Sequence, residues 1–155
     1  MTEVLDPPIH EVEEIEDLEF PTMDNETAVR LGEVAVQTIR DLHLSLAVDI
    51  VLGDDLVFRA KLGQTGAVNN PYLAGKAALV RHFGTNSLLT RLRLEEQGTS
   101  LEALLGGDSE RMALYGGSLP IRVSGQIVGT ITMSGEPDVV DHHTVVAAVR
   151  RFLAP

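Results

Sequence analysis

Cysteine and tryptophan are absent from this 155-residue chain, and aromatic residues make up only 4% of it. Without cysteine, disulfides, thiolate catalysis and cysteine-ligated zinc or iron–sulfur centres are excluded. Hydrophobic residues still reach 44%, and a chain of this length buries most of the surface that its unfolded form exposes. We therefore expect a folded unit that needs no covalent cross-links.

Basic residues are scarce as well. The formal net charge is −11, and the first 19 residues hold eight acids and no Lys or Arg, whereas the rest has 15 acids against 12 bases. With no basic stripe to neutralise phosphates and few aromatic rings to stack on bases, nucleic-acid binding is not expected. An anionic membrane surface would repel the chain too.

Long apolar runs are also missing. No stretch approaches the roughly 20 apolar residues of a membrane span. The acidic start of the chain lacks the basic and apolar regions of a signal peptide. We expect a soluble, cytoplasmic protein that does not associate with membranes.

Residues 1–18 form an acidic segment, which we separate from a single domain over residues 19–155. Four apolar residues recur in the segment at every third position: Ile9, Val12, Ile15 and Leu18. This spacing predicts an apolar stripe on a short helix. Two alternatives remain at this point: a frayed acidic tail, or a helix that packs on its own domain or on a partner subunit.

The domain begins with a predicted helix and hairpin. Helical spacing of apolar residues covers 23–42, with Asp24 or Asn25 as the cap. From 44 to 62 the apolar residues alternate around Gly53-Asp54, which is the period of a β-hairpin.

Three short helices are predicted next. The first begins with Asn70 as its cap and Pro71 at its first helical position and ends at about Phe83. The second runs from a Ser87 cap to a stop at Gly98, and the third runs from Thr99-Ser100 to Leu105. We expect a polar loop in the GGDSER stretch that follows.

The stretch LYGGSLPIRVSGQIVGTITMSG, residues 114–135, predicts a second hairpin that turns at Ser124-Gly125. Gly129 in the returning strand marks a bulge or a close approach of another group to the backbone. Gly116-Gly117 precedes a strand, whereas phosphate-binding loops precede a helix, so a phosphate-binding loop is not expected here. The two glycines either form a structural corner or let the backbone pass close to a ligand. A closing helix is predicted in DVVDHHTVVAAVRRFL.

The order of these elements indicates an α+β fold. Two antiparallel hairpins divided by helices predict one antiparallel sheet flanked by helices, in the manner of profilin or PAS domains. The alternating strand and helix order of a Rossmann sheet is absent.

A register of residues around the second hairpin forms a specific set: Gly116-Gly117, Pro120-Ile121-Arg122-Val123, Gly125, Val128-Gly129-Thr130, Thr132, Ser134-Gly135, Pro137 and Asp141-His142. Upstream the set continues in LEFPTMDNETAVRLG, LAVDI, KAALVRHFG and RLRLEEQGTSLE. Together these residues resemble the haem-degrading-domain family of the GlcG-like and HbpS-like superfamily, and its cytoplasmic branch in particular. The resemblance covers the chain from about Leu18.

The resemblance implies a GlcG-like fold, homo-oligomers built from dimers, and the binding or breakdown of haem. The chain departs from the family pattern at two places. Thr85-Asn86 follows Gly84 where relatives carry His-Ser, and Tyr115 stands where they carry a histidine before the double glycine. The chemistry of those two imidazoles is therefore not carried over to this chain.

Haem needs an axial ligand, apolar walls and cations for its propionates. The candidate axial ligands are His82, His142, His143 and Tyr115. The cations available for carboxylates are Arg81, Arg91, Arg93 and Arg122. We select as candidate ligand-binding residues Lys76, Arg81, His82, Ser87, Tyr115, Gly116, Gly117 and Arg122. Catalytic residues stay unassigned, no metal site is predicted, and the cofactor is open with haem as a candidate.

Several of these side chains also have simpler interpretations. His82 beside Phe83 suits packing or compensation of the helix dipole at a helix end. His142 and His143 suit solvated or capping positions near a helix start, where Asp141 is expected to be the cap.

Asp49 is unusual because it lies inside an apolar strand. Its carboxylate must therefore face a pocket, a partner or a buried hydrogen bond. A position near Arg122 or Lys76 would favour a small-molecule pocket.

Two functions of different kinds remain. One is a protein that binds haem or another small molecule in a pocket between the sheet and the helices of residues 70–95. The other is a non-catalytic oligomeric scaffold or a module that binds a protein partner.

Overall fold

The computed structural model describes residues 4–155 and contains one four-stranded antiparallel sheet in the order β2-β1-β4-β3. The strands are β1 Ala47–Leu52, β2 Asp55–Lys61, β3 Ser118–Val123 and β4 Gln126–Ser134. Both predicted hairpins are present, and they join side by side because β1 pairs with β4. The predicted α+β fold with an antiparallel sheet is confirmed.

The helices flank this sheet. Within residues 4–155 they are α1 Ile9–Glu14, α2 Asn25–Asp41, α3 Asn70–Phe83, α4 Ser87–Gln97, α5 Leu101–Leu105 and α6 Asp138–Leu153. Short 3₁₀ turns cover Ile15–Asp17, Ala67–Asn69 and Gly106–Arg111. The last of these replaces the irregular loop expected from GGDSER.

One face of the sheet carries the main hydrophobic core, covered by α2 and α6. Its buried members include Leu31, Ile39, Val48, Ile50, Leu119, Ile121, Ile131, Met133, Val145 and Val149. Alternate residues of β4, namely Thr130, Thr132 and Ser134, point away from this core and are also buried. Helix α3 contacts β3 and β4 but contributes no side chain to the core. The second side of the sheet therefore has a polar buried layer at its centre.

The hairpin corners follow the sequence closely. Ser124 and Gly125 have φ values of 51° and 78°, which is the pattern of a two-residue I′ turn. A Cβ on Gly129 would overlap the carbonyl oxygen of Val51 on β1. The expected close approach at Gly129 is therefore made by the neighbouring strand.

The acidic N-terminal segment is packed on the domain. Val12 of α1 is buried against Leu88 and Leu89 of α4, and Ile15 joins the main core. The next residues run along the edge of β3, where the backbone N–H of Phe20 donates to the carbonyl of Arg122 at 2.8 Å. Of the two alternatives for this segment, the structure has the packed helix.

The helix caps required two corrections. Asp24 caps α2 as expected, accepting from the N–H of Thr27 at 2.7 Å. The cap of α4, however, is Asn86, whose Oδ1 accepts from the N–H of Leu89 at 2.9 Å. Ser87 was the wrong choice because its hydroxyl oxygen instead accepts from the N–H of Ser118 at 3.0 Å. Similarly, α3 is preceded by Asn69 and not capped by Asn70.

Candidate functional site

A cleft of about 390 Å³ opens at the end of β4, beside the first turns of α3 and α6. The residues that line it are Asn69, Tyr72, Lys76, Tyr115, Ser134, Gly135, Glu136, Pro137, Asp138 and Asp141. They come from three separate parts of the chain. The fold brings them together because β4 leads into α6 through only three residues, while α3 packs against the same strand.

A buried ion pair is part of the cleft wall. Lys76 of α3 donates to Oδ2 of Asp141 on α6 at 2.8 Å and to the carbonyl oxygen of Met133 on β4 at 3.0 Å. The side chains are only 3% and 2% exposed. The other oxygen of Asp141 accepts from the N–H of Glu136 at 3.0 Å. The pair thus joins two helices to the last residues of the strand, and both charges have hydrogen-bond partners.

Asp141 was predicted to cap α6, and this prediction is wrong. The helix begins three residues earlier, at Asp138, and Asp141 lies inside it with its side chain turned toward Lys76. Burial raises the pKa of Asp141 to about 6, although the nearby Lys76 ammonium opposes that shift. Desolvation of the carboxylate therefore outweighs the attraction of its partner.

The double glycine is a structural corner beside this pair. Gly117 has φ of +125°, and a Cβ on it would lie 2.6 Å from the carbonyl oxygen of Met133 and 3.0 Å from Nζ of Lys76. The N–H of Gly116 donates to Oδ2 of Asp138 at 2.8 Å. Both glycines are therefore required by the packing of the chain, which supports the structural interpretation.

Two tyrosines form the exposed rim. The rings of Tyr72 and Tyr115 are 6.1 Å apart at 61°, and the two residues are 45% and 48% exposed. Both also line a second, adjoining cleft of about 710 Å³, together with Asp138 and Arg91. The Tyr72–Tyr115 corner is therefore shared by two connected depressions in the surface.

Arg91 stands at the boundary of the two clefts and is surrounded by carboxylates. Its guanidinium lies 2.6 Å from Asp6, 2.9 Å from Glu95 and 2.9 Å from Asp138. One cation is thus shared by three anions. A bound carboxylate would have to compete with all three for Arg91.

Of the predicted ligand-binding residues, the structure brings together Lys76, Tyr115, Gly116 and Gly117. Ser87 is buried close by and holds the N–H of Ser118. Arg122 instead contacts Glu16 of the acidic segment at 2.8 Å and the carbonyl of Gly84 at 2.7 Å.

Arg81 and His82 lie apart from these residues. Both are exposed in the last turn of α3, and neither lines the cleft. The ring of His82 packs edge-on against Phe83 at 4.8 Å, which agrees with the packing interpretation of this histidine.

His142 was expected to be solvated or capping, and it is neither. It is 2% exposed, and burial lowers the pKa of His142 to about 3, with His143 and Arg150 adding to the effect. Its Nδ1 has no hydrogen-bond partner within residues 4–155. The ring lines a separate cavity of about 260 Å³ against α1, away from Lys76 and Tyr115. Burial, together with His143 and Arg150, keeps this imidazole neutral at physiological pH.

Asp49 has a structural partner. Its two oxygens accept from Nε and Nη2 of Arg59 on β2, each at 2.7 Å, and the two residues face each other across the strands. Among the alternatives for Asp49, the structure has a hydrogen-bonded ion pair in which the carboxylate is buried and the guanidinium of Arg59 is partly exposed. This pair does not line the Lys76 cleft.

Sequence reasoning missed Tyr72, Glu136 and Asp138. Glu136 and Asp138 flank Pro137 directly after the second hairpin. Because Gly135 and Pro137 belong to the family pattern, these two adjacent carboxylates could have been predicted as site residues. The signal for Tyr72 was weaker: the chain has only two tyrosines, and the second, Tyr115, was already a candidate.

Haem does not fit the residues that line the cleft. None of them is a histidine, and the residue type present that can ligate haem iron is tyrosine, in an exposed position. The propionates would meet Glu136, Asp138 and Asp141, while Lys76 is already paired with Asp141. We therefore assign no haem chemistry to this cleft.

Two other features are absent from residues 4–155. No helix there is long and apolar enough to cross a membrane. No cluster of three or more His, Asp or Glu side chains in that range could hold a metal ion.

The sequence matches a protein-family model over most of its length. The model is described as haem degrading protein HbpS-like, and it matches residues 23–150. UPF0303 protein SCO2848 of Streptomyces coelicolor is 35% identical over 149 residues, which is 95% of this chain and 94% of that relative.

Solved structures share the fold. The crystal structure of Ybr137w protein has a TM-score of 0.86 at 21% identity and covers 96% of this chain and 90% of that one. The crystal structure of a PduOC:heme complex has a TM-score of 0.67 at 18% identity, with 82% and 94% covered. At these identities the likeness establishes the GlcG-like arrangement of sheet and helices.

Proposed function

This chain belongs to the family of HbpS-like haem-degrading proteins, and from this premise we propose that it binds a small molecule in the cleft between α3 and α6. The family match and the PduOC:heme neighbour support ligand binding by this fold. Haem remains the ligand that the family suggests, and it is therefore included in the test below.

The observation that carries the proposal is the combination of a charged wall and an aromatic rim. Lys76 and Asp141 are held in the wall by hydrogen bonds to Met133 and Glu136, while Tyr72 and Tyr115 expose large ring surfaces at the entrance. Pockets that bind small molecules combine apolar and aromatic surface with a few fixed polar groups. This cleft has both: Tyr72, Lys76 and Asp141 lie on helices, and Tyr115 lies in the segment that leads into β3.

The proposal is one of binding, and we assign no reaction. The ammonium group of Lys76 is engaged by Asp141 and by the carbonyl of Met133. A nucleophilic amine would first have to be released from both partners and lose its proton. The described contacts of Lys76 thus suit a fixed structural charge.

Native mass spectrometry of protein purified gently from its own cells tests this proposal. We expect a retained small molecule in the wild type and in His82→Ala, which lies outside the cleft, and its loss in Tyr115→Ala. An empty wild-type protein, or equal retention in Tyr115→Ala, would contradict the proposal. A retained mass equal to haem would identify the ligand suggested by the family.

A second candidate, the oligomeric scaffold, is favoured by one observation. The turn of the first hairpin lies against β4, because the N–H of Gly53 donates to the carbonyl of Val128 at 2.9 Å. Leu56, Ile127 and Val128 are exposed around this point. Clustered exposed apolar side chains are typical of a protein contact. We propose that this patch contributes to a homo-oligomer built from dimers, and a monomer by light scattering would contradict that.

A further inference from the structure

The ligand-binding cleft carries an excess of negative charge. Its lining contains one cation, Lys76, which is cancelled by Asp141 at 2.8 Å. Asp138 shares Arg91 with Asp6 and Glu95. Across the two adjoining clefts the lining residues comprise two cations and five carboxylates. A ligand entering here meets a surface that favours positive charge.

Glu136 is the carboxylate that would interact with such a ligand directly. It forms no ion pair within residues 4–155, unlike Asp138 and Asp141. Its Oε2 accepts from the N–H of Ser45 at 2.9 Å. One oxygen is therefore held by the backbone, and this fixes the carboxylate in the wall of the cleft without neutralising it.

The Tyr72–Tyr115 corner independently favours a positively charged ligand. Tyr72 and Tyr115 are inclined at 61° with their centroids 6.1 Å apart, so they present two differently oriented ring surfaces. Aromatic faces attract organic cations, and pairs of rings beside carboxylates are used to recognise quaternary ammonium groups. These are the only two tyrosines of the chain, and both line this cleft.

On the basis of the proposed function, we infer that the ligand of this cleft is a small organic cation. Glu136 supplies the compensating charge, and Tyr72 and Tyr115 surround the cationic group. The neutralised Lys76–Asp141 pair forms the polar wall behind it. The same arrangement disfavours haem, whose propionates would bring two further negative charges to these carboxylates.

Intrinsic tyrosine fluorescence gives a direct test, because the chain has no tryptophan and its two tyrosines are both at the cleft. Choline is the probe, and its neutral isostere 3,3-dimethylbutan-1-ol is the matched control ligand at equal ionic strength. We expect a saturable change with choline and about tenfold weaker binding of the isostere, the size of a favourable cation–aromatic contact plus one charge pair.

Substitutions show which residues of the cleft bind choline. Glu136→Gln should weaken choline binding about tenfold, while Glu33→Gln, the same change on the exposed surface of α2, should leave it unaltered. Tyr72→Leu should weaken binding as well, with Tyr115 kept as the reporter. Circular dichroism of each variant verifies that the fold is retained.

The inference is overturned if choline causes no change, if the isostere binds equally well, or if folded Glu136→Gln binds choline like the wild type. The identity of the molecule retained in native mass spectrometry separates this inference from the function on which it rests. A retained anion that is lost in Tyr115→Ala would contradict the cation and leave the binding function intact. A protein that retains nothing would contradict the binding function itself.

Discussion

The backbone of Gly117 lies so close to the Lys76–Asp141 pair that a side chain at this position has no space. Its φ of +125° is unfavourable for any residue with a Cβ, and that atom would press on the Met133 carbonyl and the Lys76–Asp141 pair. We predict that Gly117→Ala lowers the free energy of unfolding by roughly 2 kcal/mol or more, measured by urea denaturation. Gly107, where a Cβ would meet only open space, is the matched control, and Gly107→Ala should cost less than about 0.5 kcal/mol. Equal effects of the two substitutions would refute this account of the double glycine.

Asp141 makes the stability of the protein depend on pH. Its pKa rises from 3.8 to about 6 through burial, so between these values the folded state binds more protons than the unfolded state. The free energy of unfolding must then fall as pH rises from about 4 to about 6, by about 3 kcal/mol for a shift of this size. Below that window the contribution is fully present, and above it the contribution is lost.

The measurement is urea unfolding of wild type and Asp141→Asn across this pH range. Groups that do not contact Asp141 titrate alike in the two proteins, so the pH-dependent difference between them reports on the Lys76–Asp141 pair. We expect the wild type to lose stability relative to the variant as pH rises. A difference that changes in the opposite direction would mean that Lys76 outweighs burial and lowers the pKa of Asp141.

At the scale of elements, Asn86 connects two helices that the sequence places far apart. Its Oδ1 caps α4, while its Nδ2 donates to the carbonyl of Val12 at 3.1 Å and to Glu16 at 2.7 Å. We predict that Asn86→Ala lowers the free energy of unfolding by about 2–3 kcal/mol, through the lost cap and the unpaired groups of α1. Ser100→Ala, which removes the exposed cap of α5, should cost only about 1 kcal/mol.

Hydrogen exchange would show the connection directly. Amides of α1 should lose protection in Asn86→Ala and keep it in Ser100→Ala. Unchanged protection of α1 in both variants would contradict the role of Asn86 as the anchor of the acidic segment.

The sequence does not distinguish Asn86 from Ser87 as the cap of α4, because asparagine and serine both suit that position. The preference for Asn86 comes from Val12 and Glu16, which are distant in the chain.

Over the whole molecule, local patterns predicted the elements well. Alternation around Gly53-Asp54 and Ser124-Gly125 predicted both hairpins, helical spacing predicted α2 and α6, and the Asn70-Pro71 pair predicted the start of α3. Those patterns act over a few residues and are set by backbone preferences and by burial of one face.

The site itself was harder to predict, because its charge pairs are formed between distant residues. Lys76 meets Asp141 across 65 positions, and Arg91 meets Asp6 across 85. Arg122 and Arg91 were candidates for binding a ligand carboxylate, yet the acidic N-terminal segment already engages them. A single sequence shows that these charges exist, but tertiary packing decides which of them are neutralised.

The cleft between α3 and α6 can be examined as a ligand site by NMR mapping. Isotope-labelled protein would be titrated with a small-molecule extract of the cells that produce it. We expect the amide shifts of Tyr72, Tyr115, Gly135 and Glu136 to change together, with no comparable change at His82. Shift changes confined to the His142 cavity, or none at saturating extract, would contradict this expectation.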